Sequence, residues 1–173
     1  MREPCLMWWP GTIPAGATCT ELGTTMDILP TICEITGAQL PGDRIIDGKN
    51  ILPLMKAEKE AQSPHEVFYY YQLEQLQAVR SGKWKLHLAL DSMYANIHRA
   101  TWGPGREMKL IDLSADIKEE VDVSDDHPEV VEKLLKYAET AREDLGDLGR
   151  EGKNVRPAAL VEDPVPQLLT ETD

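Results

Sequence analysis

The chain has 173 residues and a formal net charge of −12 at pH 7, because acidic residues outnumber lysines and arginines. A chain of this length could form one domain and bury about two-thirds of the surface of the unfolded polypeptide. It contains no apolar run of about 18 residues, so neither a membrane-spanning helix nor a membrane partner is expected, and the acidic excess argues against nucleic acid because phosphate binding needs a basic face.

An unbroken apolar run, Cys5-Leu6-Met7-Trp8-Trp9, opens the chain and ends at the turn pair Pro10-Gly11. Because every position is apolar, the run predicts a β-strand that is covered on both faces, as in a sheet with helices packed above and below. Such a strand needs neighbours on either side, and none precedes it. We therefore expect residues 1–60 to be an incomplete strand-loop-helix remnant of a larger α/β domain.

A helix is predicted from about residue 26 to residue 36. Thr24 and Asp27 have the spacing of a capping box, and Gly37 suits the C-terminal cap. Pro41 then prevents the helix from resuming. The apolar residues that follow at helical spacing are Ile28, Leu29, Ile32, Cys33 and Ile35.

Residues 61–149 predict a small α+β unit in which an antiparallel sheet packs on a C-terminal helix. The predicted strands are Val67–Tyr71, Gln77–Arg80, Lys83–Ala89 and Met108–Leu113, with Ser81-Gly82 as a two-residue hairpin turn. A long loop, residues 91–107, is expected before the last strand. In the third strand, apolar and basic residues alternate, which predicts an apolar face on the core and a basic face outward.

The most regular helix is predicted over residues 127–145. Asp125 or Asp126 can cap it, Pro128 suits its first turn, and Gly146 ends it. Its expected core face consists of Val130, Val131, Leu134, Leu135, Ala138, Ala141 and Leu145. Residues 150–173 lack periodicity and are predicted to form a loosely ordered tail.

Several short sequences resemble one known family. They include Trp9-Pro10-Gly11, Met26-Asp27-Ile28-Leu29-Pro30-Thr31, Ala78-Val79-Arg80-Ser81-Gly82-Lys83-Trp84-Lys85 and Leu110-Ile111-Asp112-Leu113. In this order they resemble the C-terminal portion of the sulfatases, members of the alkaline-phosphatase-like superfamily, and most closely the arylsulfatase and N-acetylgalactosamine-6-sulfatase branch. The resemblance covers about residues 2 to 157 and is poor over residues 91–107.

The resemblance implies hydrolysis of a sulfate ester by a formylglycine, made in a Cys/Ser-x-Pro/Ala-x-Arg motif, beside a calcium ion. None of Cys5, Cys19 and Cys33 begins that motif. Asp125-Asp126 suits a helix cap better than a metal site. We therefore expect this chain to hold no catalytic residue and no metal ligand. Calcium and formylglycine are expected in the missing N-terminal sulfatase domain of the intact parent enzyme.

Two basic groups are candidates for contact with a sulfated small molecule or glycan. One is the basic face of the hairpin, for which a merely solvated face is the alternative. The other is the loop at 91–107, for which ordinary loop packing is the alternative. The candidate substrate-binding residues are Lys83, Lys85, His87, His98, Arg99, Trp102 and Arg106.

A non-catalytic interaction module, or one half of a split sulfatase, is the rival hypothesis. Apolar surface around Trp8, Trp9, Ile28 and Ile32 would favour a partner or self-association. The chain begins with no signal peptide, which leaves its compartment open, although the family it resembles is often lysosomal, periplasmic or secreted. Alone, the chain is expected to be inactive.

Overall fold

Three α-helices and eight strands form in residues 3–96, 101–156 and 162–164, the part of the chain that the computed structural model describes. The helices are α1 (Ile28–Thr36), α2 (Leu52–Met55) and α3 (Pro128–Asp144). The strands are β1 (Phe68–Gln72), β2 (Gln75–Ser81), β3 (Trp84–His87), β4 (Leu90–Asn96), β5 (Thr101–Arg106), β6 (Lys109–Asp112), β7 (Gly146–Asp147) and β8 (Arg150–Glu151).

The central sheet is antiparallel and has the strand order β1-β2-β3-β6. Its core face carries the cross-strand row Tyr69, Val79, Leu86 and Leu110, and this face packs on α3. The core residues that α3 contributes are Val131, Leu134, Ala138 and Ala141. The predicted α+β architecture, a small antiparallel sheet on a C-terminal helix, is confirmed.

The β2–β3 turn lies one residue further along the chain than predicted. Ser81 pairs with Trp84, so the two turn residues are Gly82 and Lys83 and not Ser81-Gly82. Gly82 has φ +55 and takes the first central position, where a type II′ hairpin has glycine.

The predicted strand in the opening apolar run is wrong. Residues 3–9 form no strand, and the side chains of Leu6 and Trp8 are 99% and 88% exposed. A strand persists only when a neighbouring strand accepts and donates its backbone hydrogen bonds. None of the strands in the described ranges pairs with this run.

The predicted helix at 26–36 is confirmed as a short 3-10 turn, Thr25–Asp27, that leads into α1. Gly37 ends the helix with φ +72, the left-handed conformation of a C-terminal cap. The buried side of α1 consists of Pro30, Thr31 and Cys33. Most of the predicted apolar stripe is exposed instead, at Ile28, Leu29, Ile32 and Ile35.

The predicted loop at 91–107 is wrong, because β4 and β5 pair as an antiparallel two-stranded ribbon. Gly105 is required there, since a Cβ atom at this position would lie 1.9 Å from the carbonyl oxygen of Leu90. The sequence did not predict β5 because it contains Gly103-Pro104-Gly105. Glycine and proline are rare in strands, except at exposed edges and where two backbones approach closely.

The helix α3 begins at Pro128 and its N-cap is His127, so the predicted caps at Asp125 and Asp126 are wrong. Residues 150–156 are more ordered than the predicted tail. The backbone N–H of Lys153 donates to the carbonyl of Glu143, and Arg156 Nη2 lies 2.6 Å from Asp47 Oδ1. Arg156 also lies 3.5 Å from Asp144. The rest of the predicted tail, apart from 162–164, lies outside the described residues.

Candidate functional site

The basic face of β3 is covered, so its predicted outward orientation is wrong. Lys85 is 4% exposed, and His87 is only partly exposed. Lys85 Nζ donates to both carboxylate oxygens of Glu119, each at 2.8 Å. His87 Nε2 lies 2.5 Å from Glu119 Oε2. The segment that carries Glu119 therefore folds over the sheet face opposite α3.

Sheet register explains why these cations meet. Residues directly opposite each other in antiparallel strands share a face. His87 lies opposite Lys109, while Lys85 lies opposite Arg80. Lys109 Nζ donates to the backbone carbonyl of Glu119 at 2.8 Å. We call this arrangement the Glu119 cluster: Glu119 with Lys85, His87, Lys109 and the nearby Arg106.

Burial governs the protonation of His87. Burial lowers the pKa of His87 below its ordinary value of 6.5, and the charges of Lys85 and Arg106 act in the same direction, against the hydrogen bond to Glu119. For Glu119, burial acts to raise the pKa, but hydrogen bonds from Lys85 and His87 prevail and hold it below 4.5. At neutral pH the cluster therefore contains an ionised Glu119 and a neutral His87.

Acidification is expected to destabilise the fold through His87. Because the folded pKa lies below 6.5, the unfolded state binds the proton first, and stability falls as the pH drops from 6.5 towards the folded pKa. Urea unfolding at a series of pH values between neutral and acidic would measure this loss. His87→Gln should flatten the slope within that window, and an unchanged slope in the variant would contradict the assignment.

Lys83 lies apart from the Glu119 cluster. It occupies the β2–β3 turn, where its Nζ lies 2.6 Å from Asp112 and 4.4 Å from the centre of the Trp84 ring. The pKa of Asp112 is lowered to about 2. The hydrogen bond from Lys83 is the largest cause, and the hydrogen bond from Ser114 is the second. This pairing holds β3 to β6 at the exposed end of the sheet.

The remaining candidates belong to the β4–β5 ribbon. Trp102 is exposed on β5. Arg106, at the end of β5, donates from Nε to the carbonyl of Leu88 at 3.1 Å and from Nη2 to the carbonyl of Gln77. Arg106 thus fastens the ribbon to the open end of the β2–β3 hairpin, in the middle of the sheet. His98 and Arg99 lie outside the described residues.

Sequence reasoning missed a second polar centre, at Asp27. Asp27 is fully buried, and its carboxylate accepts the backbone N–H of Thr24 and of Lys49, each at 2.7 Å. His65 Nε2 lies 2.7 Å from the same carboxylate. The capping-box spacing indicated the contact with Thr24, but no local pattern connects Asp27 with residues 22 and 38 positions away.

Calcium would need several oxygen ligands that converge on one point. Within residues 3–96, 101–156 and 162–164, no group of three or more His, Cys, Asp or Glu side chains is arranged to hold a metal ion. Asp125 and Asp126 are exposed in the turn before α3. The described residues therefore do not fit the calcium site that the resemblance implies.

A search of the described helices finds none that is both long and apolar enough to span a membrane.

Comparison with known proteins gives one consistent result. The family model "N-sulphoglucosamine sulphohydrolase, C-terminal" matches residues 1–144. N-acetylgalactosamine-6-sulfatase of Canis lupus familiaris is 41% identical over 87 residues, which is 50% of this chain and 16% of that protein. Arylsulfatase D of Homo sapiens is 34% identical over 137 residues, which is 69% of this chain and 23% of that protein.

A solved structure shares the fold. PsFucS1 sulfatase from Pseudoalteromonas sp. superimposes with a TM-score of 0.62 at 22% identity, over 77% of this chain and 28% of that one. The chain thus spans less than a third of the length of each of these relatives.

Proposed function

The chain belongs to the sulfatase family, in its C-terminal region, and from this premise we propose that it is the C-terminal portion of a sulfuric ester hydrolase. In this proposal residues 1–60 close the large α/β domain, residues 61–149 form the small C-terminal subdomain, and residues 150–173 follow as a tail. The formylglycine and the calcium ligands belong to an N-terminal sulfatase domain, which is the partner of this chain.

The exposed apolar surface of residues 1–60 is the observation that carries the proposal. Leu6 and Trp8 are nearly fully exposed, and one side of α1 exposes Ile28 and Ile32. Large apolar side chains left exposed in this number favour burial against other polypeptide. Residues 5–9 carry an apolar side chain at every position, and such a segment also suits addition as a strand to the edge of another sheet.

The substrate of the intact enzyme is proposed to be a sulfated sugar or an aryl sulfate. The name N-acetylgalactosamine-6-sulfatase supports the first class, and the name arylsulfatase supports the second. We assign the border of the substrate cleft to the β4–β5 ribbon, where the Trp102 side chain is 44% exposed. Lys85 and His87 are engaged by Glu119, so their contact with substrate would require that pairing to open.

A chimaera tests this proposal. The matching C-terminal region of the dog N-acetylgalactosamine-6-sulfatase would be replaced by this chain, and the product would be expressed with its formylglycine-generating machinery. We expect the chimaera to hydrolyse an aryl sulfate in the presence of calcium, because the chain completes the α/β sheet and buries Leu6 and Trp8. The chain alone, assayed with calcium, should show no turnover.

The matched variants are Trp8→Asp and Trp102→Ala in the chimaera. The first should abolish soluble, active protein, because a charge would enter the completed core. The second should leave folding intact and raise the KM. Turnover by the isolated chain, or full activity of the Trp8→Asp chimaera, would contradict the proposal.

The same apolar surface favours a second candidate, a non-catalytic interaction module or one half of a split sulfatase. A module of this type would form a defined complex without gaining sulfatase activity. The chimaera separates the two ideas, since a soluble but inactive chimaera with Leu6 and Trp8 buried favours the module. Light scattering of the isolated chain would detect self-association through the same surface.

A further inference from the structure

The central sheet has two edge strands, β6 and β1. At the β6 edge, the backbone N–H of Val123 donates to the carbonyl of Leu110 at 3.0 Å. The N–H of Leu110 in turn donates to Asp122 Oδ1 at 2.9 Å. The segment at 122–123 therefore blocks this edge, because the backbone groups that would pair with a further strand already have partners.

The other edge strand, β1, directs a backbone N–H and a C=O away from the sheet at Tyr69. In β2, Gln77 faces β3, since its carbonyl accepts the N–H of Leu88 at 3.1 Å. The direction of hydrogen bonding alternates along a strand, so Val79 also faces β3. Tyr69 lies opposite Val79, and its own backbone groups are therefore on the open side. Among the residues that the structure describes, none bonds to them.

The side chains of β1 also favour pairing with another strand. Natural edge strands are commonly protected by a charge or a proline, and Phe68–Gln72 contains neither. Its register shifts only near its end, between Tyr70 and Tyr71. The rings of Phe68 and Tyr70 meet edge to face, with their centres 4.9 Å apart, and both residues are only partly buried. The open edge is thus bordered by aromatic surface.

The opening run, residues 5–9, has complementary properties. It is apolar at every position, yet it forms no strand. The side chains of Leu6 and Trp8 are 99% and 88% exposed, and an extended backbone places both on one side of the run. A segment that lacks a neighbouring strand and an edge that lacks one can satisfy each other.

We propose that two copies of this chain associate by pairing residues 5–9 of each copy with the β1 edge of the other. Each copy carries one run and one edge, so the exchange closes as a dimer. An aromatic side chain buries about 150–250 Å². Two copies each of Leu6 and Trp8, with the surface that they cover, therefore bury on the order of 1,000 Å², the size of a specific interface. This association does not depend on the catalytic role proposed above.

Sedimentation of the full-length chain over a wide range of concentrations tests the proposal. The chain has a mass of 19.4 kDa, and we expect a reversible dimer of twice that mass. Leu6→Asp with Trp8→Asp should weaken the association at least about ten-fold, because charges would enter the interface. The matched control is Ile28→Asp with Ile32→Asp, which changes two half-exposed residues of α1 outside the contact and should leave the dimer unchanged.

The exposed thiol of Cys5 allows a second measurement. Facing residues of paired strands are close enough for a disulfide. In a Cys19→Ser background, we expect Phe68→Cys or Gln72→Cys, at the two ends of β1, to form a disulfide with Cys5 of the other copy. Which of the two reacts depends on strand direction. Glu132→Cys, at an exposed position on α3, is the control and should remain monomeric on a non-reducing gel.

A chain that stays monomeric at high concentration would overturn the proposal. Dissociation by Ile28→Asp with Ile32→Asp, but not by Leu6→Asp with Trp8→Asp, would do the same, because α1 would then be the interface. A disulfide formed within one chain would show that residues 5–9 pair with β1 of their own molecule. That result also contradicts an exchange between copies, as would equal crosslinking of the control.

Discussion

Replacing Asp27 with alanine is expected to lower the free energy of unfolding by about 3 kcal/mol. The carboxylate is fully buried and joins three parts of the chain: the start of α1 at Thr24, the segment at Lys49, and His65 before β1. Its removal leaves two backbone N–H groups and an imidazole without their acceptor in an environment that excludes water. Urea unfolding followed by circular dichroism would measure the loss.

The control for this prediction is Asp43→Ala. Asp43 is an exposed aspartate whose partner is the adjacent Arg44, with their atoms 2.6 Å apart. An exposed pair between sequence neighbours contributes little, so the unfolding midpoint should not shift. His65→Gln, which retains a donor, should fall between the two variants. Equal midpoints for Asp27→Ala and Asp43→Ala would show that the Asp27 contacts do not stabilise the fold.

Leu134→Ala is expected to lower the free energy of unfolding by about 3 kcal/mol as well, for a different reason. Leu134 is 1% exposed and packs in the core between α3 and the sheet. Truncation removes buried methyl groups and leaves a cavity that the surrounding strands cannot fill. Thermal and urea unfolding of the wild type and the variant would measure the loss.

The neighbouring residue supplies a matched control, because Leu135 is 40% exposed on the same helix. Leu135→Ala makes the same change in helix propensity, so a loss of less than about 1 kcal/mol is expected. The difference between the two variants then reports burial alone. If Leu135→Ala costs as much as Leu134→Ala, α3 packs on the sheet through a different face.

Local patterns in the sequence were sufficient to predict the elements that local physics determines. The periodicity of residues 128–144 and the cap signals around α1 predicted both helices, because helix hydrogen bonds close within four residues. The alternation around Leu86 predicted its strand and its core face. Leu135 shows the limit, since an apolar residue at the edge of a helical stripe can lie on either side of the boundary.

The Glu119 cluster was beyond local reasoning for a physical reason. The alternation of Lys85 and His87 correctly placed both on one face. Their partner, the Glu119 carboxylate, lies 34 residues from Lys85 in sequence. The opening run illustrates the same limit, since its composition suits a strand whose hydrogen bonds depend on polypeptide elsewhere. The prediction for residues 90–106 failed for another reason. Gly103, Pro104 and Gly105 are typical of turns, yet here they lie in a strand.

The contact between Arg156 and Asp47 joins positions 109 residues apart and also reaches the last turn of α3 through Asp144. During synthesis the chain emerges from its N-terminus, at about 5–20 residues per second. The segment that carries Asp47 must therefore wait until residue 156 has left the ribosome before this guanidinium can hold it. Nascent chains that stop before this arginine would carry Asp47 without this long-range partner.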